Sequence, residues 1–456
     1  MTPMLDGCTP WPEAFVDRYW AAGHWRGNTL DNLLRDWARH HGPRTALVHG
    51  GGRITYANLN RRVDRMAAGF RLRGLRPGQR VVVQLPNVPE FVVTVFALMR
   101  IGAVPVLCPV THRTELVSHL VRVSQAVGHV GPATHRGFDL TAMAADIAAR
   151  GPFLRRVFTL EAPGEASPYG GFTIDAAGCH YYPLASVDSP PERPLAQSAD
   201  QVAFFLLAGD AGSGAEPALV PRTHNDYAYQ VRAAAELVAL TENDVYLAAL
   251  PAESNFALGC PGIVGTLSVG GAVVLVEDPE PATCLPVVER ERVTVTSLLP
   301  ASARLWLDAA ATVGADLSSL RLLQVGGAPL PRATAARVGP ELGCGLQQVS
   351  GRAEGLLTLT RPADPQETVL GTQGRPLSPD DEIRVVDADG RDVPDGEPGE
   401  LLARGPGTPR GYYRAPDHTA HSFTSDGYFR TGDLARRTPD GNVVVTGRLP
   451  QVPSGG

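Results

Sequence analysis

Lysine is missing from this sequence altogether, and all 41 basic residues are arginine. No step in the protein can therefore use a compact, mobile ammonium charge. Arginine is not an equivalent replacement, because its guanidinium is a rigid planar fork. A basic surface is missing too. The formal net charge is −6, and no basic run is interleaved with aromatics, so a nucleic-acid partner is not expected. Long uninterrupted apolar runs are also absent. The segment "FVVTVFALMRIGAVPVLCPV" from Phe91 is broken by Arg100, Gly102 and two prolines, and reads as a buried helix followed by a buried strand. No membrane span is expected. The first residues, "MTPMLDGCTPWPEAF", lack a basic stretch before an apolar core, so no secretory signal is expected either. The six cysteines, Cys8, Cys108, Cys179, Cys260, Cys284 and Cys344, form no CxxC pair. None lies near a histidine at zinc-ligand spacing, and free thiols in a reducing cytoplasm are the expectation.

What is present is an ordinary globular composition, 43% hydrophobic and 19% charged, spread over 456 residues. That length exceeds one compact core, so several subdomains are expected. From about 28 to 150, helix-like segments such as "TLDNLLRDWARHH" alternate with short β-rich runs such as "RVVVQLP" and "AVPVLCPV". Such alternation predicts an α/β fold with parallel strands and crossover helices. Residues 160–200 are loop-like, with "EAPGEASPYGG" and "SVDSPPERPLAQ" reading as surface connection. The alternation then resumes with "QVAFFLLAG", "DYAYQVRAAAELVAL", "GAVVLVED", "VTVTSLLP" and "LRLLQVGGAPL". Beyond about 370, short strands between Gly, Pro and Asp turns predict a small antiparallel or barrel-like piece.

Three stretches carry chemistry. In "AGDAGSGAEPALVPRTH", residues 208–224, a buried strand feeds Gly209, Gly212, Ser213 and Gly214. Backbone N–H groups and a hydroxyl there can cradle phosphate oxygens, and glycine permits the positive φ such a nest needs. It is not the GxxxxGK[ST] loop, which needs a lysine, and a plain glycine-rich turn is the alternative. In "VSGRAEGLLTLTRP", Glu354 follows a strand-like "LQQV" in a Gly-flanked turn, placed to hold a metal-bound phosphate or simply to be solvated. In "DGYFRTGDLARRTPDGNVVVTGR", Asp433 sits where a carboxylate can accept two ribose hydroxyls, or be an ordinary turn residue.

In this order and spacing the three stretches resemble the core motifs of the acyl-adenylate-forming superfamily of acyl-CoA ligases, luciferases and peptide-synthetase adenylation domains. The resemblance runs from "TPWPEAFVDRYWAAGHWRG" to "TGR" at 446–448. It is nearest to the stand-alone aryl-acid branch, the 2,3-dihydroxybenzoate–AMP and salicylate–AMP ligases of siderophore pathways. Shared phrases include "PRTHNDY", "LQVGGA", "AEGL", "RGYYRAPDH", "SFTSDGYFRTGD" and "VVVTGR". The resemblance implies two doubly wound αβα subdomains, 1–195 and 196–369, and a small β-barrel subdomain, 370–446. A hinge remnant, 447–456, would follow. It implies ATP and Mg²⁺ as cofactors, an aryl carboxylic acid as substrate, and transfer of the acyl group to the phosphopantetheine thiol of a carrier protein. Carried over, Gly326, Gly327 and Ala328 resemble the adenine-side strand end. Glu354 resembles the Mg²⁺ carboxylate, Asp433 the ribose acceptor, and Arg448 the hinge arginine. In the aryl pocket, read from "LPAESNFALGCPG", Asn255 and Phe256 match, and Ser254 replaces a histidine. Cys260 and Leu357 match the salicylate-type pair, since a thiol would leave a ring 3-hydroxyl poorly satisfied.

The departures cluster. The lysine that ends the family loop is Ala218 here, and Asp210 and Glu216 add negative charge. At 4 Å a like-charge contact costs about 1 kcal/mol in water and about 4 kcal/mol at an effective dielectric near 20. The family's "FGMAE" is Ser350-Gly351-Arg352 followed by Ala353 and Glu354. The mobile C-terminal domain that carries the catalytic lysine is expected to be missing. Catalytic duty is therefore expected of Glu354, Arg352, Arg222 and His224, with Arg222, Arg352 or a partner supplying the charge. Losing such an electrostatic contact typically costs roughly two to three decades in rate. Three functions fit: a slow aryl-acid adenylating enzyme, completed in trans by a separate C-terminal domain; an ATP-independent enzyme that transfers acyl from an aryl thioester and needs no cofactor; or a non-catalytic protein that binds an aryl acid or a carrier protein.

Overall fold

The computed structural model describes residues 4–161, 173–209 and 216–449. The apolar runs become strands of two large sheets. One sheet has eight strands among the described residues, and its centre is parallel: Val104–Leu107, Arg80–Val83, Gly128–Pro132 and Arg156–Leu160. The other has nine strands among the described residues, with a parallel centre that includes Val245–Ala248, Val295–Leu298 and Leu322–Gly326. Antiparallel strands close the edges of both. Runs such as Val81, Val82 and Val83 are buried on both faces, as a parallel strand covered by helices requires.

The largest apolar cluster lies between the sheets. It joins Leu47 and Val273 of one sheet to Val81 and Phe204 of the other through helices Leu30–His41, Tyr56–Leu72 and Pro89–Arg100. The outer face of the nine-stranded sheet packs on Pro281–Glu291 and Pro300–Val313, with Trp306 fully buried there. The outer face of the eight-stranded sheet packs on Thr114–Ser124 and Leu140–Arg150. The molecule is thus a stack of alternating helix and sheet layers, and the α/β expectation is met. The run from Phe91 divides as its glycine and prolines suggest, into helix Pro89–Arg100 and strand Val104–Leu107.

The sheets do not follow chain order. Thr45–His49 and Gly52–Thr55 lie in the nine-stranded sheet, and Val202–Ala208 pairs with Val104–Leu107 in the eight-stranded one. The loop-like reading of 160–200 is corrected in part. His180–Pro183 pairs in parallel with Arg156–Leu160, with Tyr182 stacked on Phe158, while 162–172 lie outside the described residues. A four-stranded antiparallel sheet, Glu382–Val386, Gly399–Arg404, Phe429–Arg437 and Val443–Arg448, follows the two large ones. All six cysteines are free thiols. Among the described residues no helix is long and apolar enough to cross a membrane.

Candidate functional site

A cavity of about 910 Å³ opens where the two large sheets meet. One wall is the turn that follows Val104–Leu107 and the helix Thr114–Ser124; the other is the 250–260 segment with Val349 and Leu357 behind it. The first wall is held by Gln84. Its amide donates to the carbonyls of Pro109 (3.0 Å) and His112 (2.9 Å), and its oxygen accepts from His129 Nε2 at 3.1 Å. With both amide hydrogens committed, the Gln84 oxygen must face His129, so the imidazole carries its proton on Nε2. Burial holds His129 neutral, lowered to about 4.

The second wall gathers the expected aryl pocket. Ser254, Asn255, Phe256, Cys260, Gly327 and Leu357 all line the cavity. The reason is local. Ser254 caps the short helix Asn255–Gly259, its hydroxyl accepting from Ala257 N–H at 3.3 Å. That cap puts Asn255 and Phe256 in the first turn, facing inward. Serine at this position is a capping residue. Gly326, expected on the adenine side, is buried under Phe256: a Cβ there would lie 3.0 Å from the ring. Gly327 lines the cavity and Ala328 is exposed.

Arg222 and His224 require a correction. Both were expected as catalytic groups, and neither lines the cavity. Arg222 is fully buried. Its guanidinium pairs with Asp226 Oδ1 at 2.8 Å and donates to Gln230 Oε1 at 3.0 Å. It also donates to the carbonyls of Ala353 (3.1 Å) and Gly407 (3.2 Å), and lies over the Tyr227 ring. Those partners consume the charge that a phosphate would need. His224 is equally buried; its Nδ1 accepts from Leu30 N–H at 3.1 Å, and burial lowers its pKa to about 3. The two flank Thr223, which caps helix His224–Leu237 in a reciprocal capping box with Asp226.

Arg222 nonetheless reaches the pocket through a relay. Because Gln230 Oε1 accepts from Arg222, Gln230 Nε2 must point the other way, and it donates to Asn255 Oδ1 at 3.0 Å. Asn255 Nδ2 in turn donates to the carbonyl of Arg352 at 3.0 Å. The orientation of the Asn255 amide is therefore set, with one further N–H left for a ligand oxygen. Gln230 also donates to Cys260 Sγ at 3.5 Å, and burial pushes that thiol up to about 12, so it is a neutral packing group.

Arg352 joins this pocket to the small antiparallel sheet. It lines the cavity, and its guanidinium donates to Asp433 Oδ1 at 2.5 Å. Asp433 and Arg448 are cross-strand partners, and Arg448 Nε reaches the same oxygen at 3.3 Å. Glu354, two residues beyond Arg352, is buried, and its carboxylate accepts from the Tyr412 hydroxyl at 2.7 Å. Burial pushes its carboxyl above the ordinary range, and Tyr412, Arg352 and Arg222 pull the other way. The turn is fixed by Gly355, at φ +92°, where a Cβ would sit 1.8 Å from the Gly407 carbonyl oxygen. Gly209 ends strand Val202–Ala208 at φ +125° and lines the cavity; Gly212, Ser213 and Gly214 lie outside the described residues.

Sequence reasoning missed Glu253, His112, Glu115 and His119, all of which line the cavity. Glu253 had a weak signal: it is the one charged residue in the stretch "LPAESNF". The histidines had none, because their position depends on how the sheets meet.

The chain belongs to the AMP-binding enzyme family, whose model matches residues 34–413. Among its relatives, the 2,3-dihydroxybenzoate-AMP ligase of Bacillus subtilis is 44% identical over 98% of this chain and 79% of its own length. The salicyl-AMP ligase / salicyl-S-ArCP synthetase of Mycobacterium tuberculosis is also 44% identical, over 98% of this chain and 78% of its own. The apo structure of MbtA from Mycobacterium smegmatis superposes with a TM-score of 0.89 at 44% identity, covering 98% of this chain and 81% of that one.

Proposed function

We propose that this protein is an aryl-acid adenylating enzyme of salicylate type, joining a 2-hydroxybenzoate to AMP for transfer to a carrier-protein thiol. One observation carries the reading. A single cavity wall presents an oriented Asn255 amide, the Phe256 ring, the Cys260 thiol and Leu357, and Arg352 ties that wall to Asp433 and Arg448. In this reading the free Asn255 N–H donates to the ortho oxygen of the ring, and Phe256 and Leu357 sandwich its faces. Cys260 borders the position of a 3-hydroxyl without hydrogen-bonding it well. Asp433 exchanges its arginine partners for ribose hydroxyls, which frees Arg352 for the phosphate end.

The residues fit a nucleotide-borne Mg²⁺. Glu354 is a buried carboxylate with one hydroxyl partner and a raised pKa, so a cation beside it offsets its desolvation. Among the described residues no cluster of three or more His, Cys, Asp or Glu side chains could hold a metal alone. Glu354 would therefore share the ion with phosphate oxygens, as Mg²⁺ sites commonly do. Bound there, Mg²⁺ would offset the charge of the departing pyrophosphate. ATP–pyrophosphate exchange dependent on salicylate tests the proposal. Exchange is expected, and its absence at high enzyme concentration would sink the proposal.

A second reading, ATP-independent transfer from an aryl thioester, draws support from the charge of the lining. Among the described residues, Glu115, Glu216 and Glu253 line the cavity with Arg352 as the one arginine. Acylated product formed from salicyl thioester with ATP omitted would favour it.

A further inference from the structure

The cavity is far larger than one aromatic ring requires, and a ring held on the aryl wall leaves over the space along the facing wall, an arm of the same cavity lined by Val110, His112, Glu115 and His119. Glu253 stands where the two parts meet. Its chain neighbours Ser254 and Asn255 belong to the aryl wall, while its carboxylate acts electrostatically on Cys108, at the base of the other wall. The residue is only 8% exposed, yet it lines the cavity. Among the described residues no side chain hydrogen-bonds its carboxylate, and no arginine acts on it; burial lifts the carboxyl to about 7 against its own backbone N–H.

A carboxylate removed from water without a counter-charge is costly and is normally paired. Every other buried acid of this region has a partner: Glu354 has Tyr412 and Asp226 has Arg222. Among the described residues no arginine lines the arm; Arg122 stays outside the lining, against His119 Nδ1 at 3.1 Å and Glu216 at 3.5 Å. The arm's remaining lining groups are Glu115, with Glu216 at the rim, and two imidazoles. His119 is committed to Glu216 and to the Pro217 carbonyl, and burial lowers the pKa of His112. The described lining of the arm therefore disfavours an anion, and its polar groups leave the Glu253 carboxylate without a cationic, hydrogen-donating partner.

We propose that Glu253 receives a primary ammonium group of the ligand, seated in the arm beside the aryl ring. The inference rests on the reading that the Asn255–Leu357 wall holds that ring. The ammonium has two possible sources, a substituent on the acid itself or a separate amine that accepts the acyl group. The chemistry at Glu253 is the same for both: three N–H donors meeting a desolvated carboxylate.

Isothermal titration of the full chain tests this with four probes: salicylate, 4-methylbenzoate, 4-(aminomethyl)benzoate, and benzylamine added to salicylate-loaded protein. The expected result is at least tenfold tighter binding of 4-(aminomethyl)benzoate than of its methyl isostere, or Glu253-dependent binding of benzylamine. The first pattern assigns the amine to the acid, the second to an acceptor. In Glu253→Gln either preference falls to twofold or less. The wild-type comparison of amine with methyl needs no variant, so a poorly folding substitution leaves the test intact. No preference for either amine probe, or a preference that survives Glu253→Gln, overturns the inference. Salicylate that fails to bind while an amine preference persists overturns the aryl-acid reading alone; salicylate that binds without any amine preference overturns this inference alone.

Discussion

The guanidinium of Arg352 lies 2.5 Å from Asp433 Oδ1, while the backbone carbonyl of the same residue accepts from the Asn255 amide at 3.0 Å. One residue thus touches both the Asn255 wall and the carboxylate proposed to face the nucleotide, with its backbone on one and its side chain on the other. Arg352→Ala removes the charge and keeps the carbonyl. We expect salicylate affinity to change little and salicylate-dependent pyrophosphate exchange to fall by roughly two decades, the usual loss for one electrostatic contact at a transition state. Titration calorimetry and exchange kinetics on the same preparation check both halves. An unchanged exchange rate would assign Arg352 to holding Asp433 and nothing more.

Specificity is expected to turn on Cys260. Its thiol is a weak partner for a ring 3-hydroxyl, whereas a serine hydroxyl can both donate and accept. Cys260→Ser should raise affinity for 2,3-dihydroxybenzoate relative to salicylate by roughly tenfold, the worth of one buried hydrogen bond of about 1.4 kcal/mol. Competition between the two acids for exchange measures the ratio. A ratio that stays put would mean that the 3-position does not face Cys260.

Much of the architecture was legible because its signals are local. Buried parallel strands read as unbroken apolar runs, and Val202–Ala208, Val295–Leu298 and Leu322–Gly326 follow theirs closely. The partner of each strand was not legible, because pairing is tertiary. The run ending at Gly209 looks like the start of a new unit, yet it pairs with Val104–Leu107. In the site, Ser254 and Asn255 stand at the start of one short helix with Leu357 on a strand behind it, and only the family resemblance, not composition or spacing, singled them out. Arg222 misled because charge near a glycine loop suggests phosphate. The contrary signal was Asp226 four residues on and Gln230 eight residues on, acceptors that the following helix brings onto one face. Glu253 carries no motif, and its meaning appears only once the opposite wall is in place.

Arg222 is expected to act on stability and on pocket orientation. Arg222→Met leaves Asp226 buried without its partner, a loss of about 3–5 kcal/mol, read as a large drop in the unfolding midpoint. Gln230→Leu probes the relay more gently. It cuts the link between Arg222 and Asn255 and frees the Asn255 amide to turn over. Discrimination between salicylate and benzoate should then fall by about tenfold, with benzoate binding itself preserved. A merely structural glutamine would weaken both ligands alike, and that outcome would remove the relay.

Glu253 should leave a signature in the pH dependence of stability. Its folded-state carboxyl is raised to about 7 from an ordinary value of 4.5. Below 4.5 both folded and unfolded chains hold the proton, and burial of the neutral acid costs little. As pH rises from 4.5 to 7 the unfolded chain releases the proton and the folded chain keeps it, so stability falls across that window. Above 7 the penalty is constant, on the order of 3 kcal/mol. The facing groups do not mirror this change: the Cys108 thiol is held well above its usual range, and His112 is lowered by burial. Glu253→Gln is neutral at every pH and escapes the penalty. The variant should therefore match the wild type near pH 4.5, gain in relative unfolding temperature up to about pH 7, and hold that advantage above it. Unfolding scans of both proteins over this range decide the matter. A difference that is flat with pH would mean that the carboxylate already has a counter-charge in the folded chain.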